Sequence, residues 1–114
     1  AKTLRERGHE VGLVTDSERV GGTFENKSYK NARMVSSKFL TCFSDFRRPD
    51  AEVHMSLADY VAYLEDYAAH FGLEALIRRR TSVLHVGRVD GGYAVALRAS
   101  GADDGKHWEE RWDA

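Results

Sequence analysis

Val11-Gly12-Leu13-Val14-Thr15-Asp16, followed by Val20-Gly21-Gly22-Thr23-Phe24, is the stretch on which the fold turns. The apolar run at residues 11–14 reads as a buried parallel strand, because strands covered on both faces lose the polar alternation. Asp16 stands just past its end, and the glycine pair Gly21-Gly22 then leaves no side chain between backbone and a ligand. Strand, acid and glycine turn in this order match the ribose side of a dinucleotide-binding βαβ unit, where a carboxylate at the strand's carboxyl end accepts ribose hydroxyls. Asp is also simply a turn former, and both readings of Asp16 stand at this point. The preceding strand with G-x-G-x-x-G is absent from the sequence. Residues 1–9 read as the last turns of the helix that would follow it, with Gly8 as its stop. The expectation is a piece of a nucleotide-binding domain that begins after its own phosphate loop.

Composition narrows the function classes. A chain of 114 residues holds at most one domain, and 42% hydrophobic residues suit a globular core. Lys+Arg 17 against Asp+Glu 18 gives net charge −1, which argues against a nucleic-acid or anionic-membrane surface. The runs Arg47-Arg48 and Arg78-Arg79-Arg80 are short, flanked by acids, and read as solvated faces. The single cysteine, Cys42, excludes an internal disulfide, reads as a small buried apolar residue and fits a reducing compartment. No apolar stretch approaches the ~20 residues that span a bilayer, and no targeting signal is present. The location implied is cytoplasmic, or membrane-associated through parts beyond this sequence. His9, His54, His70, His85 and His107 lack metal-ligand spacing, so no metal site is expected.

Along the chain, residues 15–53 are polar and turn-rich, with a short extended piece beginning near residues 29–33. Residues 34–46 carry Phe39, Leu40, Phe43 and Phe46 and read as a loop or short helix packing aromatic rings. Pro49 marks an exposed connection. Residues 56–71 are the firmest helix: Ser56 caps it with Asp59 three positions on. Leu57, Tyr60, Val61, Leu64, Ala68 and Phe71 form its apolar stripe, and Gly72 closes it. Asp59, Glu65 and Asp66 read as solvated carboxylates on its surface. Residues 80–112 read as a three-stranded antiparallel meander, with Asp90-Gly91-Gly92 at the first hairpin turn and Asp104-Gly105 at the second.

Gly21-Gly22-Thr23-Phe24, Tyr29-Lys30-Asn31-Ala32-Arg33, Lys38 and Cys42-Phe43-Ser44-Asp45-Phe46 together resemble the flavin-containing monooxygenases, which carry GGxW, Y-x-x-L-x-T-N-x-x-K and F-S-D-F in this order. His54-Met55-Ser56, Tyr67-Ala68-x-His70-Phe71-x-Leu73, Ile77, Thr81-x-Val83 and Trp112-Asp113-Ala114 are similar to the family's following segments. The likeness covers nearly the whole chain. It implies an α/β fold: an incomplete Rossmann-like, three-layer FAD-binding domain with an antiparallel β-meander, lacking its first strand with the G-x-G-x-x-G loop and its last strand. On that reading residues 1–114 are one partial domain, with strand 11–14, cofactor-proximal loop 15–53, helix 56–71 and meander 80–112.

The activity implied by the resemblance is FAD- and NADPH-dependent monooxygenation of a nucleophilic nitrogen or sulfur on a small molecule, with molecular oxygen captured as a C4a-hydroperoxide of the flavin. Asp16, Gly21, Gly22, Thr23, Phe24 and Val83 would contact FAD. Gly21 and Gly22 would let the backbone approach it, Thr23 and Phe24 would lie beside flavin and ribityl chain, and Val83 would offer backbone groups to adenine. Three positions depart from the pattern. The family's ribose-binding glutamate falls on Thr15, one residue before Asp16, and a one-residue slip reverses a strand side chain's facing. Phe24 replaces an indole and has no N–H to donate. The family's asparagine beside the flavin falls on Val35, leaving Ser36 as the neighbouring hydroxyl. Val35 keeps open an FAD-dependent oxidoreductase without oxygen transfer, and a non-catalytic binding or structural subunit is the remaining alternative. The other partner implied is the remainder of the parent chain. By itself the segment is expected to be inactive and poorly soluble, with unpaired strand edges.

Overall fold

The computed structural model describes residues 1–101 and 106–113. The chain is mixed α/β and divides into two compact units, residues 19–72 and residues 1–18 with 73–114. The turn expected at Asp104-Gly105 and the terminal Ala114 lie outside the described residues.

In the unit of residues 19–72, three helices follow one another: α2 (Thr23–Asn26), α3 (Lys38–Thr41) and the long α4 (Leu57–His70). The Ser56 hydroxyl accepts from the Asp59 N–H at 3.0 Å and donates to the Asp59 carboxylate at 2.6 Å, so one residue pair closes the N-terminus of α4. Such a cap contributes about 1 kcal/mol. Residues 33 and 56 form an isolated antiparallel bridge, and Met34 N–H donates to Met55 C=O at 2.9 Å.

The core of this unit forms where Cys42, Met55 and Tyr63 bury together, with Met34, Phe46, Tyr60 and Leu64 packed around them. Tyr63, absent from the single apolar stripe read from the sequence, is 0% exposed. Its position explains the omission. Val61 and Tyr63 are about 200° apart around the helix axis at 3.6 residues per turn. One face of α4 carries Val61, which meets the glycine turn; the other carries Tyr63 and Tyr67, which take Phe43 and Phe46 at ring-centroid distances of 4.5–6.2 Å. A helix covered on two faces defeats a reading that looks for one stripe.

The second unit opens with α1 (Lys2–Glu6) and β1 (Leu13–Val14) and resumes with a 3₁₀ turn (Glu74–Leu76), β2 (Ile77–Arg78), β3 (Thr81–Val89), β4 (Gly92–Ala99) and β5 (His107–Trp112). β1 and β2 pair in parallel, Leu13 with Ile77 and Val14 with Arg78, and β3, β4 and β5 form an antiparallel sheet in that order. The strand expected at residues 11–14 is therefore two residues long, and it is half-buried rather than buried. Its partner sets the limit: β2 is bounded upstream by the 3₁₀ turn and downstream by Arg80, whose φ of 50° ends extended pairing. Gly12 lies outside the ladder, and a Cβ there would collide with the Trp112 ring.

Within the meander, Val83, Leu97 and Trp108 align across the three strands, and Leu97 is fully buried. The pairing shifts register at Leu84, a bulge between Val83 and His85. Arg78 forks onto Glu110 of β5, Arg79 pairs with Glu74, and Arg80 with Glu18. Each of the three arginines pairs with a named carboxylate while keeping part of its side chain in solvent.

Candidate functional site

The backbone of the glycine turn decides what can approach it. Gly21 has φ 118° and Gly22 has φ 52°, both in the region that side chains rarely adopt. The two differ in surroundings. A Cβ on Gly21 would meet Val61 Cγ2 at 3.0 Å and Glu25 Cβ at 3.3 Å, so Gly21 is glycine partly because α4 presses against it. A Cβ on Gly22 would meet nothing within 4 Å. Gly22 presents bare main chain to open space and precedes α2 as its N-cap residue. Of the pair, Gly22 is the one whose main chain a large planar group such as FAD could approach without meeting a side chain, which is compatible with that cofactor.

Thr23 is exposed and begins α2. Phe24 stands edge-on to Tyr60, with centroids 5.1 Å apart and planes at 88°. Part of its ring remains open, bordering a hollow of about 290 Å³ that Lys30, Ala32, Ser56 and Val61 also line. Burial raises the Tyr60 hydroxyl above its ordinary pKa, so it stays protonated beside that ring.

Asp16 and Val83 lie in the other unit. Thr81 N–H donates to Thr15 C=O at 2.9 Å, and Ser100 Oγ donates to Asp16 C=O at 3.4 Å, which ties the end of β1 to the start of the meander. The Asp16 carboxylate is exposed and accepts from Ser17 Oγ at 3.3 Å. Thr15 turns its hydroxyl back to accept the Ser17 N–H at 3.2 Å. The hydroxyl that aligns with the family's glutamate is thus engaged with its own turn, and the carboxylate, itself hydrogen-bonded to Ser17 but exposed, is the next residue. Val83 is half-exposed on β3, paired with Leu97.

Val35 is 96% exposed and offers no polar atom. Ser36 Oγ lies 2.7 Å from Thr41 Oγ1, so its hydroxyl is already engaged within the loop. Lys38 donates to the carbonyls of Pro49 and Ala51, and its N–H to Val53 C=O at 2.7 Å; it binds the loop's own carbonyls. Tyr63 does comparable work on the Phe43–Phe46 segment, accepting from Phe43 N–H at 2.7 Å and donating to Phe46 C=O at 3.0 Å. Two carboxylates read as solvated are also engaged: Glu65 accepts Arg19, and Asp66 accepts Arg48. Among the described residues, no group of three or more His, Cys, Asp or Glu could hold a metal ion, and no helix is long and apolar enough to cross a membrane.

No family model matches the chain. Monooxygenase ptmN of Penicillium ochrochloron is 48% identical over 84 residues, covering 73% of this chain and 14% of that protein. Monooxygenase cfoE of Aspergillus candidus is 37% identical over 84% of this chain and 17% of its own length. Flavin-containing monooxygenase FMO GS-OX4 of Arabidopsis thaliana is 28% identical over 89% of this chain and 28% of its own. The chain belongs with the flavin-containing monooxygenases. It spans under a third of the length of each of these relatives. Solved structures agree in fold. S-allyl-L-cysteine S-oxygenase from Allium sativum superposes over the whole chain and 31% of its own, with TM-score 0.86 at 20% identity. OTEMO in complex with FAD and NADP gives 0.76 at 19% identity, over 96% of this chain and 21% of that one.

Proposed function

We propose that this chain is part of the FAD-binding domain of a flavin-dependent monooxygenase, with Gly21, Gly22, Thr23 and Phe24 beside the flavin and ribityl chain, Asp16 toward the ribose and Val83 toward the adenine. The observation that carries this reading is Gly22: a positive-φ, bare backbone position facing open space in a chain of this family. NADP(H) enters by likeness, since OTEMO was solved with both FAD and NADP. When bound, FAD reduced by NADPH supplies the electrons that activate molecular oxygen. The residues of this chain would bind and orient it: main chain at Gly22 would approach it closely, Phe24 would cover it with apolar surface, and the Asp16 carboxylate would accept hydrogen bonds from its ribose hydroxyls. A nucleophilic nitrogen or sulfur of a small molecule is the proposed acceptor of oxygen, and the rest of the parent chain supplies the phosphate loop and substrate cavity.

Val35 supports a second reading. Its isopropyl group cannot donate a hydrogen bond, and the Ser36 hydroxyl already shares a hydrogen bond with Thr41, so the side chains at 35–36 do not reproduce the amide donor of the family's asparagine. An FAD oxidoreductase without oxygen transfer fits that observation.

The test is the parent protein, extended past both ends, and its Gly22→Ala variant. Visible flavin absorption in the wild type, lost or weakened about tenfold or more in Gly22→Ala, is the expected result. A folded, colourless wild type that takes up no added FAD rejects the reading. NADPH-dependent oxygen uptake that yields oxygenated product, rather than hydrogen peroxide alone, separates the first reading from the second.

A further inference from the structure

Arg19 directly precedes the glycine turn, and its guanidinium spans the two helices that flank that turn. Nε and Nη2 donate to the two Glu65 carboxylate oxygens at 2.8 and 3.0 Å, while Nη1 donates to Glu25 at 2.9 Å. Glu65 lies on α4, one turn beyond Val61, the residue against which Gly21 is seated. Glu25 lies on α2, which starts one residue after Gly22. Phe24 completes the set through its edge contact with Tyr60, next to Val61. The turn therefore has three anchors on α4, at residues 60, 61 and 65, and Gly22 is the position between them that no side chain covers, its carbonyl accepting the Glu25 and Asn26 N–H groups.

We propose that Arg19 is a positioning residue for the cofactor, a three-way clamp that locks the glycine turn against α4 and keeps the Gly22 main chain aimed outward at the flavin. The proposal rests on the flavin reading above. The clamp works through geometry. A planar guanidinium delivers a fork to one carboxylate and a third N–H to another in fixed directions; a lysine ammonium reaches the same charges without fixing the angle between them. The Arg19 side chain is about half-exposed, and exposed ion pairs contribute little to global stability. Its effect is on where the turn points. A displacement of about 1 Å at such a contact is enough to weaken function by up to about a hundredfold.

The experiment uses the full-length parent protein stripped of flavin and titrated with FAD, comparing wild type with Arg19→Lys, Arg19→Ala and Glu65→Gln. FAD affinity, the visible circular dichroism of the bound flavin and the melting temperature of the apoprotein are read together. Arg19→Lys is expected to weaken FAD about fivefold and to change the visible dichroism while the apoprotein melts as the wild type does; Arg19→Ala is expected to weaken it about tenfold or more. If Arg19→Ala fails to fold, Arg19→Lys and Glu65→Gln decide. Arg19→Lys binding FAD within about twofold of wild type with unchanged dichroism overturns the clamp, as does an affinity loss that only tracks a lowered melting temperature. A wild type that binds no FAD overturns the flavin reading and the clamp with it, and is recognised before any variant is made.

Discussion

Residues 19–72 and the unit of residues 1–18 with 73–113 are held together in different ways. In the first, buried side chains at 32, 42, 55, 61, 63 and 68 come from one continuous stretch of sequence. In the second, the buried apolar side chains among the described residues are Leu73 and Leu97, and the backbone ladder joins residues 13–14 to 77–78 across the whole first unit. Its meander exposes Val83, Leu84, Val86 and Trp108. One region is closed by its own core, the other by pairing over long sequence separation, which forms late and carries more loop entropy. The glycine turn is anchored to the self-closed region, while Asp16 and Val83 belong to the other. That difference predicts how each part of the site responds to damage.

The largest effect should come from Tyr63→Ala, which empties a fully buried site and removes both hydrogen bonds to the 43–46 segment. A loss of about 3–5 kcal/mol is expected in denaturant melts of the parent protein, against about 2–4 kcal/mol for Leu97→Ala in the meander. If Leu97→Ala proves the costlier, the contrast between the two regions fails. Tyr63→Phe keeps the ring but strands the Phe43 N–H, and should cost about 1–3 kcal/mol; no loss would mean the ring alone holds the segment. Ser56→Ala should cost about 1 kcal/mol, with amide exchange faster in the first turn of α4 and unchanged in β3 and β4.

The smallest effect tests the other unit by pH. Hydrogen bonds from Arg78 and then Trp108 hold the Glu110 carboxyl at about 2, against 4.5 for an ordinary glutamate. A lowered folded pKa means stability that is present above about 4.5 and lost as pH falls toward about 2. Wild type should therefore lose up to about 1 kcal/mol over that window, and Glu110→Gln should lack this increment at neutral pH and show a flatter acid limb. Parallel acid limbs for both would show that the Arg78 fork contributes nothing to holding β5.

How much was legible in the sequence follows the range of the interactions. The Ser56–Asp59 cap, the long helix, the hairpin at Asp90-Gly91 and the left-handed glycine turn are written within four residues of themselves, so local pattern suffices to read them. The burial of Tyr63, the partners of Arg78 and Arg80 and the two-residue length of β1 depend on segments 17 to 64 residues away, and no local signal announces them. The Val20-Gly21-Gly22-Thr23-Phe24 string did not separate the two glycines, whose surroundings differ.

By itself the amino-acid sequence determined the family, the elements and the location of the glycine turn, because strand run, cap and backbone freedom are properties of adjacent residues. Only the tertiary structure decided that Gly21 is pressed on Val61 while Gly22 stands open, and that Arg19 bridges α2 and α4. These depend on which side chains meet after the chain has closed, where packing leaves room for a backbone at one glycine and none at its neighbour.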